Sequence, residues 1–259
     1  MKILCVIPAR YASTRLPGKP LKDIAGKPMI CRVYDRASQA ETLSGVLVAT
    51  DDERILQAVE SHGGRAMMTA KDHPTGTDRL AEVAAANPDV DLIINVQGDE
   101  PLIEPSLIDE LGHAFENDDG LQMATVATPI TEEAEQKNPN NVKVVMDKNG
   151  YALYFSRSLI PYPRNDAGTP VYKHIGIYAY RREFLLAYAK MKPTPLERAE
   201  SLEQLRALEN GYRIKCIVTN ARFVGVDTPE DLAKVNEIYK AMKEKEEARN
   251  HEHGQDQGF

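Results

Sequence analysis

The sequence has 259 residues, 42% of them hydrophobic and 27% charged, which is typical of a soluble protein with one large α/β domain or two modest ones. No apolar run approaches the ~20 residues that span a bilayer, and the first apolar stretch is too short for a secretory signal, so we expect no membrane insertion. The three cysteines are odd in number and far apart, which argues against a disulfide framework or a cysteine zinc site and favours the cytoplasm.

The net charge of −7 is unevenly distributed along the chain. Residues 1–40 contain eight Lys or Arg and two Asp, a net charge of +6, so the other residues together carry −13. An acidic body argues against a nucleic-acid-binding protein, which would present a basic face overall. A basic segment on an acidic chain instead predicts a local anion site.

Apolar runs of strand length recur along the chain. We predict strands at residues 2–8, 45–50, 91–96, 123–128, 142–147, 151–155, 174–180, 213–219 and 223–226. Several are continuously apolar, which is typical of strands buried on both faces of a parallel sheet.

Helix signals fill the gaps between these strands. Asp51 or Asp52 caps a helix that ends near residues 63–64, and Thr77 precedes a second helix that ends before residue 88. Thr228 and Pro229 begin a third helix with an acidic first turn. The alternation predicts an α/β fold with a mostly parallel, Rossmann-like sheet and helices on both faces.

One interval breaks this alternation. Residues 142–155 form a predicted hairpin with Asn149 and Gly150 at its tip, so we expect an antiparallel subdomain at roughly 130–200, inserted into a single domain of residues 1–242. Residues 243–259 are charged and predict a disordered tail. His251 and His253 in this tail lack the further ligands that a metal site needs.

The loop after the first strand carries three cations, Arg10, Arg15 and Lys19, with Ser13 and Thr14 between them. It follows the carboxyl end of a predicted parallel strand, where open α/β sheets bind ligands. Hydroxyls, amides and cations in one such loop predict phosphate binding, and the alternative is a solvated basic loop. The loop matches neither the Walker pattern nor the G-x-G-x-x-G motif of dinucleotide-binding dehydrogenases.

Acidic residues follow other predicted strands. Asp99 and Glu100 come after the strand at 91–96, beside Gly98, and a carboxylate there suits Mg²⁺ held together with phosphate oxygens. Asp227 precedes the third predicted helix, which explains it equally well as a helix-entry residue. Residues 72–79 form a second loop suited to an anion or a base edge, although helix capping accounts for Thr77 equally well.

These motifs together resemble the 3-deoxy-manno-octulosonate (Kdo) cytidylyltransferase family. The matching blocks run in order along nearly the whole chain, at residues 7–20, 48–51, 76–80, 95–101, 154–157, 174–178, 202–206 and 225–232. The opening block, IPARYASTRLPGKP, is shared with CMP-sialate synthetases, and the later blocks narrow the resemblance to the Kdo enzymes.

The resemblance implies that the anomeric hydroxyl of Kdo attacks the α-phosphorus of CTP, giving CMP-Kdo and pyrophosphate for lipopolysaccharide or surface-glycan synthesis. It also implies Mg²⁺ as cofactor and a cytoplasmic homodimer. The implied nucleotide-binding residues are Ala9, Arg10, Ser13, Arg15, Lys19, Gly76, Arg79 and Gln97, with Arg15, Lys19 and Asp99 in catalysis. The implied metal ligands are Asp99 and Asp227, and the implied Kdo pocket contains Arg157, His174, Tyr178, Glu203 and Gln204.

Three alternatives stay open. The chain activates another sugar acid with CTP, such as sialate or 8-amino-Kdo, or it is a non-catalytic nucleotide-binding protein of the same fold. The retained Asp99 and Asp227 argue against a pure binding protein. A sugar-1-phosphate nucleotidyltransferase usually has a glycine-rich opening, where this chain has Ala9, Tyr11 and Ala12.

Overall fold

The computed structural model describes residues 1–12, 15–116, 118–165, 168–221 and 223–255, with side chains as far as residue 245. The strands in these residues are β1 (Ile3–Ala9), β2 (Asp23–Ile24), β3 (Lys27–Pro28), β4 (Gly45–Thr50), β5 (Ala66–Met68), β6 (Leu92–Asn95), β7 (Met123–Ile130), β8 (Lys143–Met146), β9 (Ala152–Ser156), β10 (Val171–Arg181) and β11 (Ile214–Val218).

The helices follow the strands in the expected alternation. They are α1 (Met29–Ala37), α2 (Glu53–Ser61), α3 (Gly76–Ala86), α4 (Pro105–Ala114), α5 (Glu133–Lys137), α6 (Arg182–Tyr188), α7 (Pro195–Glu200), α8 (Gln204–Glu209) and α9 (Pro229–Gln255), with a short 3₁₀ helix at Lys19–Leu21. Among the described residues, no helix is both long and apolar enough to cross a bilayer.

A mostly parallel sheet forms the centre of the molecule, in the order β11-β7-β10-β6-β1-β4-β5. β10 runs antiparallel to both of its main neighbours, β6 and β7, whereas the other pairs along this order are parallel. The carboxyl ends of β1, β4 and β6 therefore lie at one edge of the sheet, where ligands bind in folds of this kind. The predicted α/β fold class is confirmed.

Helices cover both faces of the sheet, and successive side chains of a strand point alternately into the two cores beneath them. In β1, Ile3, Cys5 and Ile7 belong to the core beneath α1, α2 and α4, and Leu4 and Val6 belong to the core beneath α3, α6 and α8. These five side chains are at most 4% exposed, which explains the continuous apolar run that the sequence shows.

The predicted hairpin is present as β8 and β9, with Asn149 and Gly150 in its turn. Gly150 has a φ of +76°, a conformation that favours glycine, and Asp147 Oδ1 accepts hydrogen bonds from the backbone N–H groups of Asn149 and Tyr151. β8 pairs with β10, which itself lies between β6 and β7 in the central sheet. The limits of an inserted subdomain at 130–200 stay a prediction.

The structure corrects three expectations about elements. Residues 223–226 do not form a strand, because Val226 instead packs into a small core with Leu16 and Val235. Thr75, not Thr77, caps α3, in a capping box with Asp78. α9 continues to Gln255, past residue 243 where a disordered tail was expected to begin, since the Lys, Glu and Ala residues there favour helix, and residues 256–259 of the predicted tail lie outside the described residues.

Candidate active site

The loop after β1 brings Lys19 back towards the end of the strand. Gly18 has a φ of +66° and its N–H donates to the Tyr11 carbonyl at 3.3 Å, so the chain turns immediately before the 3₁₀ helix that begins with Lys19. A Cβ at position 18 would lie only 3.1 Å from the Tyr11 hydroxyl. Conformation and space therefore both favour glycine here.

The acidic residues arrive from the ends of two distant segments. Gly98 lets the chain after β6 pass close to β1, because a Cβ there would lie 2.8 Å from the Pro8 carbonyl oxygen. The backbone N–H of Val226 donates to the Asp99 carbonyl at 2.9 Å, which holds Asp227 beside Asp99.

The helix-entry explanation of Asp227 does not hold for its carboxylate. Thr228 and Asp231 cap the start of α9 reciprocally, with the Asp231 N–H donating to Thr228 Oγ1 and the Thr228 N–H donating to Asp231 Oδ2. The Asp227 side chain instead joins an ion-pair group with residues of the β1 loop.

That group unites four residues predicted from the sequence to bind nucleotide or metal: Arg15, Lys19, Asp99 and Asp227. Lys19 Nζ lies 2.6 Å from Asp99 Oδ2 and 3.1 Å from Asp227 Oδ1, and Arg15 Nη2 lies 3.2 Å from the same Asp227 oxygen. Burial would lower the pKa of Lys19, but the charges and hydrogen bonds of Asp99 and Asp227 outweigh burial and raise that pKa. Lys19 therefore stays a cation at physiological pH.

These four residues line an open crevice of about 350 Å³, here called the ion-pair crevice. Arg10 also lines it, and Arg10 Nη2 donates to the His73 carbonyl at 2.8 Å, which ties the β1 loop to the loop before α3. Ser13, predicted to bind nucleotide, lies outside the described residues. The lining residues are Pro8, Ala9, Arg10, Ala12, Arg15, Lys19, Pro20, Gln97, Gly98, Asp99 and Asp227.

Glu100 is a third carboxylate beside the crevice, and it follows Asp99 directly in the sequence. Burial, and then the charge of Asp99, raise the pKa of Glu100 to about 7. A Cβ at Gly225 would lie 3.2 Å from Glu100 Oε1, so the segment before α9 packs closely on this carboxyl group. Its adjacency to Asp99 was visible in the sequence, whereas its burial was not.

A second cavity of about 230 Å³, here called the tyrosine cavity, adjoins the crevice. Pro8 and Gln97 line both spaces. Gln97 Nε2 donates to the Gly176 carbonyl at 3.0 Å, beside an irregularity in β10 between Ile175 and Tyr178. The lining residues of the tyrosine cavity are Pro8, Gly76, Thr77, Asn95, Gln97, Met123, Tyr178, Tyr180, Tyr188, Glu203 and Gln204.

The tyrosine cavity contains three of the five residues predicted to bind the sugar acid, namely Tyr178, Glu203 and Gln204. Burial raises the pKa of Tyr178 well above its ordinary value, so its phenol stays protonated. Burial also raises the pKa of Glu203, against the opposing hydrogen bond with Thr77. The cavity thus presents hydroxyl, carboxyl and amide groups on an aromatic wall.

The other two predicted sugar-acid residues do not line either cavity. Arg157 donates from Nε to the Glu200 carbonyl at 2.7 Å and from Nη1 to the Pro139 carbonyl at 3.1 Å. His174 lies behind Tyr178, with ring centroids 5.4 Å apart and Nε2 3.0 Å from Thr125 Oγ1. Burial lowers the pKa of His174 to about 3, which keeps the imidazole neutral. A role for these two residues in binding stays a prediction.

The two predicted residues at the start of α3 lie in different environments. Gly76 lines the tyrosine cavity. Arg79 is 0% exposed, contacts Thr69, and its Nη2 lies 3.2 Å from Asp51 Oδ2. Burial lowers the pKa of Arg79. Arg79 thus joins α3 to the ends of β4 and β5 and does not line either cavity.

The donor set of the ion-pair crevice fits a hard divalent cation. Asp99 and Asp227 each bring a carboxylate to one point, where Lys19 now supplies the balancing positive charge. The described residues contain no cluster of three or more His, Cys, Asp or Glu side chains that would hold a metal alone. Two carboxylates suit Mg²⁺, which commonly takes its remaining ligands from phosphate and water.

Comparison with known proteins gives consistent matches. A family model described as "Cytidylyltransferase" matches residues 4–215. A protein of Fusobacterium nucleatum named 3-deoxy-manno-octulosonate cytidylyltransferase is 55% identical over 91% of this chain and 96% of its own length. A protein of Geotalea uraniireducens with the same name is 56% identical over 93% of this chain and 100% of its own length.

A solved structure matches the fold over the same extent. It is described as CMP:2-keto-3-deoxy-manno-octonic acid synthetase complexed with CTP, and its TM-score is 0.90 at 48% sequence identity. The match covers 93% of this chain and 100% of that one.

Proposed function

The chain belongs to the 3-deoxy-manno-octulosonate cytidylyltransferase family, and from this premise we propose that it transfers the CMP group of CTP to Kdo, with release of pyrophosphate. One observation in the structure carries the proposal: a crevice lined by Arg15, Lys19 and two aspartates opens beside a polar, aromatic cavity across Gln97. The crevice thus suits a polyanion, and the adjoining cavity suits a hydroxylated acid.

Cations of the β1 loop bind the triphosphate. Arg10 and Arg15 are exposed residues of the crevice lining, and Lys19, with a side chain 17% exposed, lies deeper between the two aspartates. Displacement at phosphorus is accelerated mainly by positioning and by charge stabilisation, so these three cations are the groups expected to matter most. No covalent nucleophile is required.

Asp99 and Asp227 hold Mg²⁺ in this proposal. Bound Mg²⁺ supplies charge neutralisation on the phosphates and on the departing pyrophosphate. When the carboxylates take that role, Lys19 loses its two partners and its ammonium becomes available to phosphate oxygens. The 2.6 Å and 3.1 Å contacts of Lys19 in the free chain keep that cation next to the position where it acts.

The sugar acid occupies the tyrosine cavity. Tyr178, Glu203 and Gln204 offer hydrogen bonds to it, and Gln97 borders the passage to the crevice, where the anomeric hydroxyl meets the α-phosphorus. The anomeric hydroxyl releases its proton to solvent and its oxygen bonds to the α-phosphorus, while the bond from that phosphorus to the bridging oxygen of pyrophosphate breaks and pyrophosphate leaves. His174 lies behind Tyr178 in the wall of this pocket, and the binding of the sugar acid by Arg157 and His174 stays a prediction.

The proposal includes the setting of the reaction. CMP-Kdo feeds lipopolysaccharide or surface-glycan synthesis, and the enzyme works in the cytoplasm as a homodimer. The three buried, unpaired cysteines Cys5, Cys31 and Cys216 support a reducing compartment. Size-exclusion chromatography with light scattering tests the dimer.

The activity is tested by pyrophosphate release from CTP and Mg²⁺ with a panel of sugar acids: Kdo, 8-amino-Kdo and sialate. We expect fast release with Kdo and a much lower kcat/KM with the other two. Release of pyrophosphate with sialate alone would show that sialate, and not Kdo, is the substrate. CTP binding without release in the presence of any acid would indicate a non-catalytic nucleotide-binding protein.

A further inference from the structure

Asn95 is a polar residue at the end of a buried apolar strand. It is the last residue of β6, after Leu92, Ile93 and Ile94, and it is 6% exposed. Its register neighbours are Val6 of β1 and Tyr178 of β10. Its side chain contributes to the lining of the tyrosine cavity.

Three buried polar atoms of this lining have no hydrogen-bond partner among the described residues. Asn95 Oδ1 and Glu203 Oε1 are acceptors, and Gln204 Nε2 is a donor on a side chain 5% exposed. Buried polar groups in folded proteins are nearly always paired, because an unpaired one costs stability. An open donor and open acceptors in one cavity indicate a ligand that both accepts and donates hydrogen bonds.

The chemistry of that ligand group follows from the lining. Among its described residues the tyrosine cavity has no Lys or Arg, and its one acid is Glu203. A carboxylate only accepts hydrogen bonds and an ammonium group only donates them, so each satisfies one of the two open amides. A hydroxyl does both, and a primary amide presents either an oxygen or an NH₂ group to it.

We propose that Asn95 is a specificity-determining residue that, with Gln204, recognises hydroxyl groups of the sugar acid. The inference rests on the proposed function, because it places the hydroxylated part of the acceptor in the tyrosine cavity. It adds a residue at the end of β6 whose interaction is made only when the acceptor is bound. The carboxylate of the acceptor then lies outside this lining.

The test combines Asn95→Leu with acceptors that lack one hydroxyl each. Leucine has nearly the shape of asparagine and removes the unpaired acceptor, so we expect a denaturation midpoint equal to or above that of the wild type. We expect kcat/KM for the full acid to fall by roughly 10- to 100-fold, with the KM for CTP unchanged. The deoxy acceptor that lacks the hydroxyl bound by Asn95 should be a poor substrate for the wild type. For the Asn95→Leu variant, the kcat/KM of this deoxy acceptor should be no lower than that of the full acid.

Asn87→Leu is the matched control. Asn87 Nδ2 donates to the Val83 carbonyl at 2.8 Å at the end of α3, outside both cavities. This variant should lose stability and keep the wild-type preference among acceptors. If Asn95→Leu does not fold, the smaller Asn95→Ser repeats the acceptor comparison.

The proposal is overturned if the Asn95 variant ranks all deoxy acceptors as the wild type does, or if it only loses stability, as Asn87→Leu should. Failure of the proposed function has a different signature, since the wild type would then release no pyrophosphate with Kdo. The acceptor comparison is made with whichever acid the wild type uses, so the two outcomes stay separate.

Discussion

The two adjoining cavities have opposite electrostatic designs. In the ion-pair crevice, Lys19, Asp99 and Asp227 already satisfy one another, and a ligand must separate them. In the tyrosine cavity, Asn95 Oδ1, Glu203 Oε1 and Gln204 Nε2 are buried with no hydrogen-bond partner in the part of the chain that the structure describes, and a ligand completes them. The crevice thus suits a polyanion arriving with a metal, whereas the cavity suits a neutral, hydroxylated group.

The two regions also differ in how far their side chains are exposed to solvent. The side chains of Arg15 and Asp227 in the crevice are 68% and 45% exposed, so salt and water weaken their attraction. Asn95 and Gln204 are almost fully buried, where each hydrogen bond discriminates strongly. We therefore expect substitutions in the crevice to reduce turnover and substitutions in the cavity to change acceptor preference.

The largest effect is expected from Asp99→Asn. The change removes a negative charge from the Mg²⁺ site and keeps the size of the side chain, so turnover should fall by about 1,000-fold or more. Pyrophosphate release measured across a Mg²⁺ titration checks this. A titration curve that matches the wild type would remove Asp99 from the set of metal ligands.

Lys19→Met should reduce turnover by about 100- to 1,000-fold, because it removes a cation aimed at phosphate charge. The same change leaves Asp99 and Asp227 without their counter-charge, so Mn²⁺ alone, measured by electron paramagnetic resonance, should bind more tightly than to the wild type. Lys22→Met is the control, since Lys22 does not line either cavity. Unchanged Mn²⁺ affinity would contradict the competition between Lys19 and metal.

Arg206→Met tests the support of the tyrosine cavity. Arg206 Nε donates to Glu197 Oε2 at 2.8 Å in a pair whose side chains are 7% and 11% exposed, and this pair joins α7 to the helix that carries Gln204. Removing one partner leaves a buried charge, so the free energy of unfolding should fall by about 3 kcal/mol at pH 7.

The pH dependence of that loss has a defined sign. Burial would raise the pKa of Glu197, but the hydrogen bond from Arg206 outweighs it and the pKa is lowered. In the wild type this stabilisation is therefore present above the ordinary glutamate pKa and is lost as the pH falls through the lowered value. The difference between variant and wild type should shrink at pH 4, as followed by urea unfolding, and an equal difference at both pH values would contradict the pairing.

The smallest effect is expected from Tyr178→Phe. It removes one hydroxyl from the tyrosine cavity and keeps the aromatic wall, so the KM for the sugar acid should rise by about tenfold while the KM for CTP stays constant. Steady-state kinetics with each substrate varied in turn checks this. An equal rise in both constants would show that the two cavities do not bind separate substrates.

Local patterns in the sequence were sufficient to predict most of the fold and the charged half of the site. Continuous apolar runs gave the buried strands, and cations and acids at strand ends gave the crevice, because parallel strands bring their carboxyl ends to one edge. The run at 223–226 was misleading, since its apolar side chains pack against a helix and a loop without pairing as a strand. Thr75 and Thr77 are both possible N-cap residues of α3 in the sequence. Thr75 is the N-cap in the structure because it forms reciprocal hydrogen bonds with Asp78.

The neutral half of the site was harder to predict because it depends on contacts between distant residues. Asn95 appears in the sequence as one more strand residue, and it is distinguished by a buried Oδ1 that has no hydrogen-bond partner among the residues described. Arg157 and His174 carry suitable chemistry, yet carbonyl groups and Thr125 occupy their polar atoms. Whether a polar atom has a hydrogen-bond partner depends on the folded chain, and the spacing of residues in the sequence does not predict it.

A crystal structure with CTP, Mg²⁺ and an unreactive Kdo analogue tests the arrangement of the two cavities most directly. We expect the triphosphate between Arg15 and Lys19, the metal on Asp99 and Asp227, and sugar hydroxyls on Asn95 and Gln204, with the α-phosphorus beside Gln97. A nucleotide bound away from the ion-pair crevice, or a sugar acid whose carboxylate occupies the tyrosine cavity, would contradict it.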